Sequence, residues 1–206
     1  MKLVIGDYAL SSWSLRPWLA LTVGGVPFET EVIRLNQPDT KARILARSPT
    51  GKVPALRLDD GTVVWESLAI CEVAAEANPS LWPESPVARA VARSVACEMH
   101  AGFATLRQEH PMNVTIRTPK APSPTVVAEV GRIRALWAGV REAYGAGGPF
   151  LFGRFSIADA MFAPVVTRLR TYAIPTDPGS EYCAAVWALP AMAEWERRAA
   201  AEVAGP

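Results

Sequence analysis

The feature that most constrains this chain is a change of hydrophobic period near residue 80. Before it, short apolar runs at 2–6, 29–33, 55–58 and 62–65 read as strands, the last two joined at Asp59-Asp60-Gly61, a good hairpin turn. Helical segments lie between and after them. One runs from about Ser14 to Val23 and stops at Gly24-Gly25, a short one covers about Thr40 to Ala46, and a third runs from Ser67 to Ala77 before Asn78-Pro79. The order is β-α-β-α-β-β-α. From Pro86 onward the strand pattern is absent. Val91, Val95, Met99, Phe103 and Leu106 fall on one face of a single long helix over Ala88 to Arg107. The prolines of 108–124 predict an irregular connection, followed by helices at about Val126 to Tyr144, Ser156 to Tyr172 and Pro190 to Glu202, with a loop at 175–179. An α/β unit over 1–78 and an all-α unit over 86–206, joined by a short linker, follow from that pattern.

Composition narrows the function. Half of the 206 residues are hydrophobic, enough for a real core, and the formal net charge is +1. Such a balance supplies no field for a nucleic acid or an anionic membrane. Lys2 precedes only a brief apolar run, so neither a leader peptide nor a membrane span is expected, and the expected location is cytoplasmic. Cys71, Cys97 and Cys183 form no CxxC pair, and His100 and His110 are the only imidazoles. Neither a redox dithiol nor a metal centre is expected.

The stretch LSSWSLRPW, residues 10–18, follows the first strand. Ser14 is suited to cap the helix, with Pro17 then in the third helical position, which leaves Ser11 and Ser12 in the strand-to-helix turn. Free N–H groups and the helix dipole favour an anion at such a place. With no histidine nearby in sequence, the hydroxyls are suited to hold a thiolate rather than to attack as nucleophiles. The plainer reading is that they are turn and capping residues. Two further stretches carry similar signals. Gly51-Lys52-Val53-Pro54-Ala55-Leu56 puts a proline at the mouth of a strand, and Glu66-Ser67 opens a helix with a hydroxyl in its first turn.

Taken together, S-S-x-S after the first strand, G-K-V-P-A-L before the third and E-S-x-A-I at the third helix resemble the amino-terminal domain of cytosolic glutathione transferases. The likeness extends along the chain to Ser156-Ile157-Ala158-Asp159, similar to the family's capping box. It implies a thioredoxin-like βαβαββα domain followed by an all-helical domain, with glutathione as co-substrate and no metal. By that resemblance Ser11, with Ser12 as alternative, binds the glutathione sulfur, as in serine-type members such as the zeta class. Val53 pairs with the cysteinyl backbone through a cis bond to Pro54. Glu66 and Ser67 receive the γ-glutamyl end, and Lys52 the glycyl carboxylate.

The same resemblance puts Trp13, Arg16, His100, Phe103, Arg107 and Tyr172 around the second substrate. It also implies a homodimer in which Glu98 of the long helix reaches the partner. Conjugation of glutathione to a small hydrophobic electrophile is the favoured activity. The alternatives are a maleylacetoacetate-type cis–trans isomerase or a lyase, and a non-catalytic glutathione-binding module. Trp13, standing where zeta-type sequences have cysteine, points away from the isomerase. A thiol oxidoreductase is disfavoured, because no cysteine precedes Cys71.

Overall fold

The computed structural model describes residues 1–205, so the last residue of the 86–206 unit lies outside the described residues. An amino-terminal thioredoxin-like α/β domain is followed by an all-helical domain. The strands are β1 (Lys2–Ile5), β2 (Glu29–Val32), β3 (Ala55–Arg57) and β4 (Val63–Trp65), in the sheet order β2-β1-β3-β4. Strand β1 is parallel to β2 and antiparallel to β3, and β3 is antiparallel to β4. The helices of this half are α1 (Ser12–Val23), α2 (Thr40–Leu45) and α3 (Ser67–Ala77). A 3-10 turn at Pro79–Leu81 begins the connection to the helical half.

That half contains α4 (Pro86–Ala101), α5 (Ala104–Glu109), α6 (Pro124–Tyr144), α7 (Ile157–Thr171), α8 (Ser180–Trp187) and α9 (Pro190–Ala204). Helix α7 threads the centre, and every residue of it except Arg170 is buried. Helix α1 lies against α7, and α9 returns to seat Trp195 edge-on to Tyr8 and Trp18, at centroid distances of 4.6 and 5.2 Å. One hydrophobic core therefore runs through both halves.

Three expectations need correction. The first helix begins at Ser12 with Ser11 as its N-cap, so Ser14 sits in the first turn and Pro17 is the sixth helical residue. Ser14 is used differently from a cap. Its hydroxyl accepts the Gly6 N–H at 3.2 Å and ties the end of β1 to the helix.

The single long helix over 88–107 is two. Helix α4 ends at Ala101, where the Gly102 N–H still donates to the Glu98 carbonyl, and Phe103 then takes a left-handed conformation with φ of 60°. A new helix starts because Glu129, on α6, accepts the N–H groups of Thr105 and Leu106 at 3.2 and 2.7 Å. A carboxylate from a distant segment thus supplies the α5 amino end, a preference of helix starts that periodicity cannot register. The third correction is α8, a short helix after Gly179 that carries too few turns to show a period.

Candidate functional site

The sheet order brings the three motif stretches together. Because β3 runs antiparallel to β1, the entry to β3 lies beside the exit of β1, with Val4 opposite Ala55. The hairpin then returns the exit of β4 to the same place, with Ala55 opposite Trp65. Ser11 and Ser12, Val53-Pro54, and Glu66-Ser67 therefore share one end of the sheet. There Trp13, Thr50, Lys52, Val53, Pro54, Glu66 and Ser67 line a cleft of about 330 Å³. A larger hollow of about 780 Å³ lies at the other end of the sheet, around Met1, Phe28 and Asp59. It is open to solvent and gathers none of the motif residues, so the smaller cleft is the better candidate.

The backbone of Val53 and the hydroxyl of Ser67 are left free in this cleft. The Val53–Pro54 bond is cis, and neither the N–H nor the C=O of Val53 hydrogen-bonds another backbone group. Ser67 opens α3 and is 1% exposed, yet its hydroxyl has no partner. A buried hydroxyl without a partner costs free energy that only an incoming acceptor or donor offsets. Glu66, the N-cap of α3, has φ of 70°, and its half-exposed carboxylate stands 3.6 Å from His100 Nε2. Ser11 is buried, and its hydroxyl donates to Ser14 Oγ at 2.7 Å. Ser12, partly exposed, makes no side-chain hydrogen bond among the described residues.

Beside the cleft, two guanidiniums lie over the Trp13 ring. Arg16 lies 4.2 Å and Arg107 4.6 Å from its ring centroid, and the His100 ring meets it edge-on at 5.2 Å. Burial lowers the His100 pKa, the charge of Arg16 lowers it further, and Glu66 opposes both, so this imidazole is neutral at pH 7.

Two of the expected second-substrate residues stand apart. Phe103 is buried in the core cluster at the break between α4 and α5. Tyr172 is buried, edge-on to His110 at 4.9 Å, and its hydroxyl donates to the Pro111 carbonyl at 2.7 Å. Glu98 is occupied within its own chain by a two-pronged pair with Arg132, at 2.7 and 2.8 Å. Sequence reasoning missed Arg168. It lies in α7, buried, and the signal available was a cation in the last turn of a helix whose middle, Ala160 to Val166, is wholly apolar. Among the described residues, no group of three or more His, Cys, Asp and Glu side chains gathers to hold a metal ion, and no helix is long and apolar enough to cross a membrane.

Comparison with known proteins adds the family. The family profile described as glutathione S-transferase, N-terminal domain, matches residues 10–77, and that described as glutathione S-transferase, C-terminal domain, matches residues 124–198. The chain belongs to the glutathione S-transferase family.

A probable maleylacetoacetate isomerase from Caenorhabditis elegans is 35% identical over 107 residues, 51% of this chain and 50% of that protein. The maleylacetoacetate isomerase of Pseudomonas aeruginosa is 33% identical over 102 residues, 45% of this chain and 48% of the relative. The chain thus spans about half the length of the curated relatives it matches. A glutathione transferase homologue from Burkholderia, solved with bound glutathione, has the same fold, with a TM-score of 0.70 at 23% identity over 97% of this chain and 98% of that one.

Proposed function

We propose that this glutathione S-transferase-fold protein binds glutathione in the cleft at the end of the sheet and uses it to isomerise a cis-unsaturated acid of the maleyl type. The observation that carries the binding is the unpartnered, buried Ser67 hydroxyl beside the unpaired backbone of Val53. A peptide with a carboxylate at one end matches that arrangement: Val53 pairs with its backbone, Ser67 donates to its γ-glutamyl carboxylate, and Glu66 faces the neighbouring ammonium. Lys52, which also lines the cleft, is the cation for the glycyl carboxylate in this reading. Bound glutathione supplies a thiolate that adds reversibly to a conjugated double bond, allowing rotation before it leaves.

The chain's own part is to keep that sulfur ionised and to position the second substrate. Ser12 donates directly, Ser11 donates once Ser14 releases it, and the free N–H groups at the start of α1 add partial positive charge. Stabilising the anion lowers the thiol pKa and raises the reactive fraction near neutral pH.

The similarity to the two maleylacetoacetate isomerases favours isomerisation over the conjugation expected from Trp13 alone. Conjugation to a flat electrophile is the second reading, supported by the indole of Trp13 on the cleft wall. Calorimetry with reduced glutathione should give a micromolar to millimolar Kd, and absence of binding at several millimolar ligand would refute the glutathione assignment. Turnover of a maleyl acid without net consumption of glutathione supports isomerisation. Stoichiometric loss of glutathione with an aryl halide, and no isomer formed, selects conjugation.

A further inference from the structure

The turn that carries Ser11 and Ser12 is fastened by the last helix, α9. Asp7, Tyr8 and Ala9 link β1 to that turn, and all three are buried. Among the described residues no backbone carbonyl accepts the Ala9 N–H, and a buried N–H needs an acceptor. It finds one in the carboxylate of Glu202, at 3.2 Å, on a side chain only 9% exposed. The Ala9 carbonyl accepts the Val114 N–H at 3.1 Å. Both polar backbone groups of this residue are therefore held by the helical half.

One face of α9 supplies the remaining contacts. Trp195, Arg198 and Glu202 stand at i, i+3 and i+7, and each meets this short stretch. Trp195 packs edge-on to Tyr8, and Arg198 Nη1 donates to the Tyr8 hydroxyl at 3.1 Å. Arg34, just after β2, bridges two acids: its Nη1 lies 2.9 Å from Glu202 Oε1 and 3.3 Å from Asp7 Oδ1, while its Nη2 donates to the Glu202 carbonyl at 2.6 Å. The other Asp7 oxygen accepts the Leu35 N–H at 2.9 Å. The Asp7 carbonyl in turn accepts the N–H groups of Leu10 and Ser11, at 3.3 and 2.9 Å. Hydrogen bonds thus run from the Glu202 carboxylate through Arg34 and Asp7 to the N-cap of α1. The apolar seat of Trp195 is non-directional, whereas a bond from a backbone N–H fixes both place and angle.

We propose that Glu202 is a positioning residue for the sulfur-binding turn: its carboxylate, with Arg34 and Asp7, sets where Ser11, Ser12 and the free N–H groups at the start of α1 stand. Glu202 does not line the cleft, so its effect on the sulfur passes through the turn. The assignment rests on the glutathione reading for what the turn holds, and on the hydrogen bonds of the free protein for what holds the turn.

The test compares the full chain with Glu202→Ala, Glu202→Gln and Glu196→Ala. Ultraviolet titration of bound glutathione reads the sulfur, calorimetry with S-methylglutathione, which has no free thiol, reads peptide binding, and amide hydrogen exchange at residues 9–12 reads the turn. In E202A the thiol titration should move up by about one pH unit, roughly a tenfold loss of thiolate near neutral pH. Exchange at residues 9–12 should speed by at least about tenfold. S-methylglutathione should bind within about twofold of wild type, because Val53, Glu66 and Ser67 still hold it. E202Q, whose amide oxygen still accepts the Ala9 N–H, should recover most of both changes. E196A, which removes the α9 ion pairs to Arg117 and Arg170, should move neither. A thiol titration that stays in place in E202A while thermal stability falls overturns the proposal, as does an equal shift in E196A. If E202A does not fold, Arg34→Ala at its half-exposed site decides: it breaks the bridge to Asp7, and an unmoved titration with unmoved exchange overturns the proposal. If glutathione fails to bind the wild type, the glutathione reading falls instead, and exchange at residues 9–12 no faster in E202A than in wild type overturns the positioning role by itself.

Discussion

At the amino end of α7, Asp159 is fully buried, and its carboxylate accepts three hydrogen bonds: from the Leu151 N–H at 3.1 Å, the Ser156 N–H at 2.8 Å and the Ser156 hydroxyl at 2.9 Å. At the amino end of α3, Ser67 is buried almost as deeply and its hydroxyl bonds to nothing. Both helix starts use a polar side chain in the first turn, and both lie against the core. The difference is what they face. The start of α7 looks into packed protein, so each group must find its partner inside the chain. The starts of α1 and α3 bound a cleft at the end of the sheet, where an α/β arrangement leaves donors open for a ligand. The buried Asp159 carboxylate is satisfied within the chain, whereas the buried Ser67 hydroxyl is left open beside the cleft.

The largest effect should come from breaking the satisfied side. Asp159→Ala leaves three donors without an acceptor at the start of the helix that threads the core. A loss of about 3–5 kcal/mol is expected in denaturant unfolding. A loss below about 1 kcal/mol would mean that the box is ornamental, and the contrast with Ser67 would fail.

A pH series sharpens the same point. Burial pushes the Asp159 carboxyl up from 3.8 to about 6, against the pull of its three donors. The folded state therefore favours the protonated acid. Its contribution is fully present below the unfolded pKa near 3.8 and is lost as pH rises through about 6. The stability difference between wild type and Asp159→Asn should shrink across that window by as much as about 3 kcal/mol. A difference flat from acid to neutral pH would show that the donors cancel the effect of burial, and one that grows with pH would show that they outweigh it.

On the unsatisfied side, removing both hydroxyls in S11A/S12A should raise the pKa of bound glutathione and slow turnover about 10- to 100-fold, the scale of one charged hydrogen bond. Ultraviolet titration of the thiolate checks this, and the single variants apportion it. An unchanged titration would leave the sulfur to the helix N–H groups alone.

The smallest stability change should be that of Ser67→Ala. Deleting a hydroxyl that bonds to nothing should move the unfolding free energy by no more than about 0.5 kcal/mol, while glutathione binding weakens about tenfold. A large loss of stability with unchanged binding would reverse the comparison.

Much of this was legible from residues close together in the chain. The order of elements in the amino-terminal half, the Ser156–Asp159 box and the α3 start at Ser67 depend on chemistry that acts within one turn of helix or one strand, so spacing alone reveals them. The start of α1 was misplaced by two residues because three serines compete for the cap. The decision fell to the Gly6 N–H, which claims the Ser14 hydroxyl from outside the helix.

The long-range features were decided otherwise. The break at Gly102-Phe103 depends on Glu129 from another helix, and the cation–π contacts of Trp13 on arginines at positions 16 and 107. Resemblance puts Tyr172 beside the second substrate, yet the Pro111 carbonyl takes its hydroxyl. By itself the sequence determined which segments fold locally and which helix starts carry hydroxyls, since those preferences are set by near neighbours. Only the tertiary structure decided which hydroxyls stay unpaired and that Arg16 and Arg107 both lie over Trp13. The physical reason is that pairing and desolvation are properties of what surrounds a group in space, and those surroundings come from segments more than fifty residues apart.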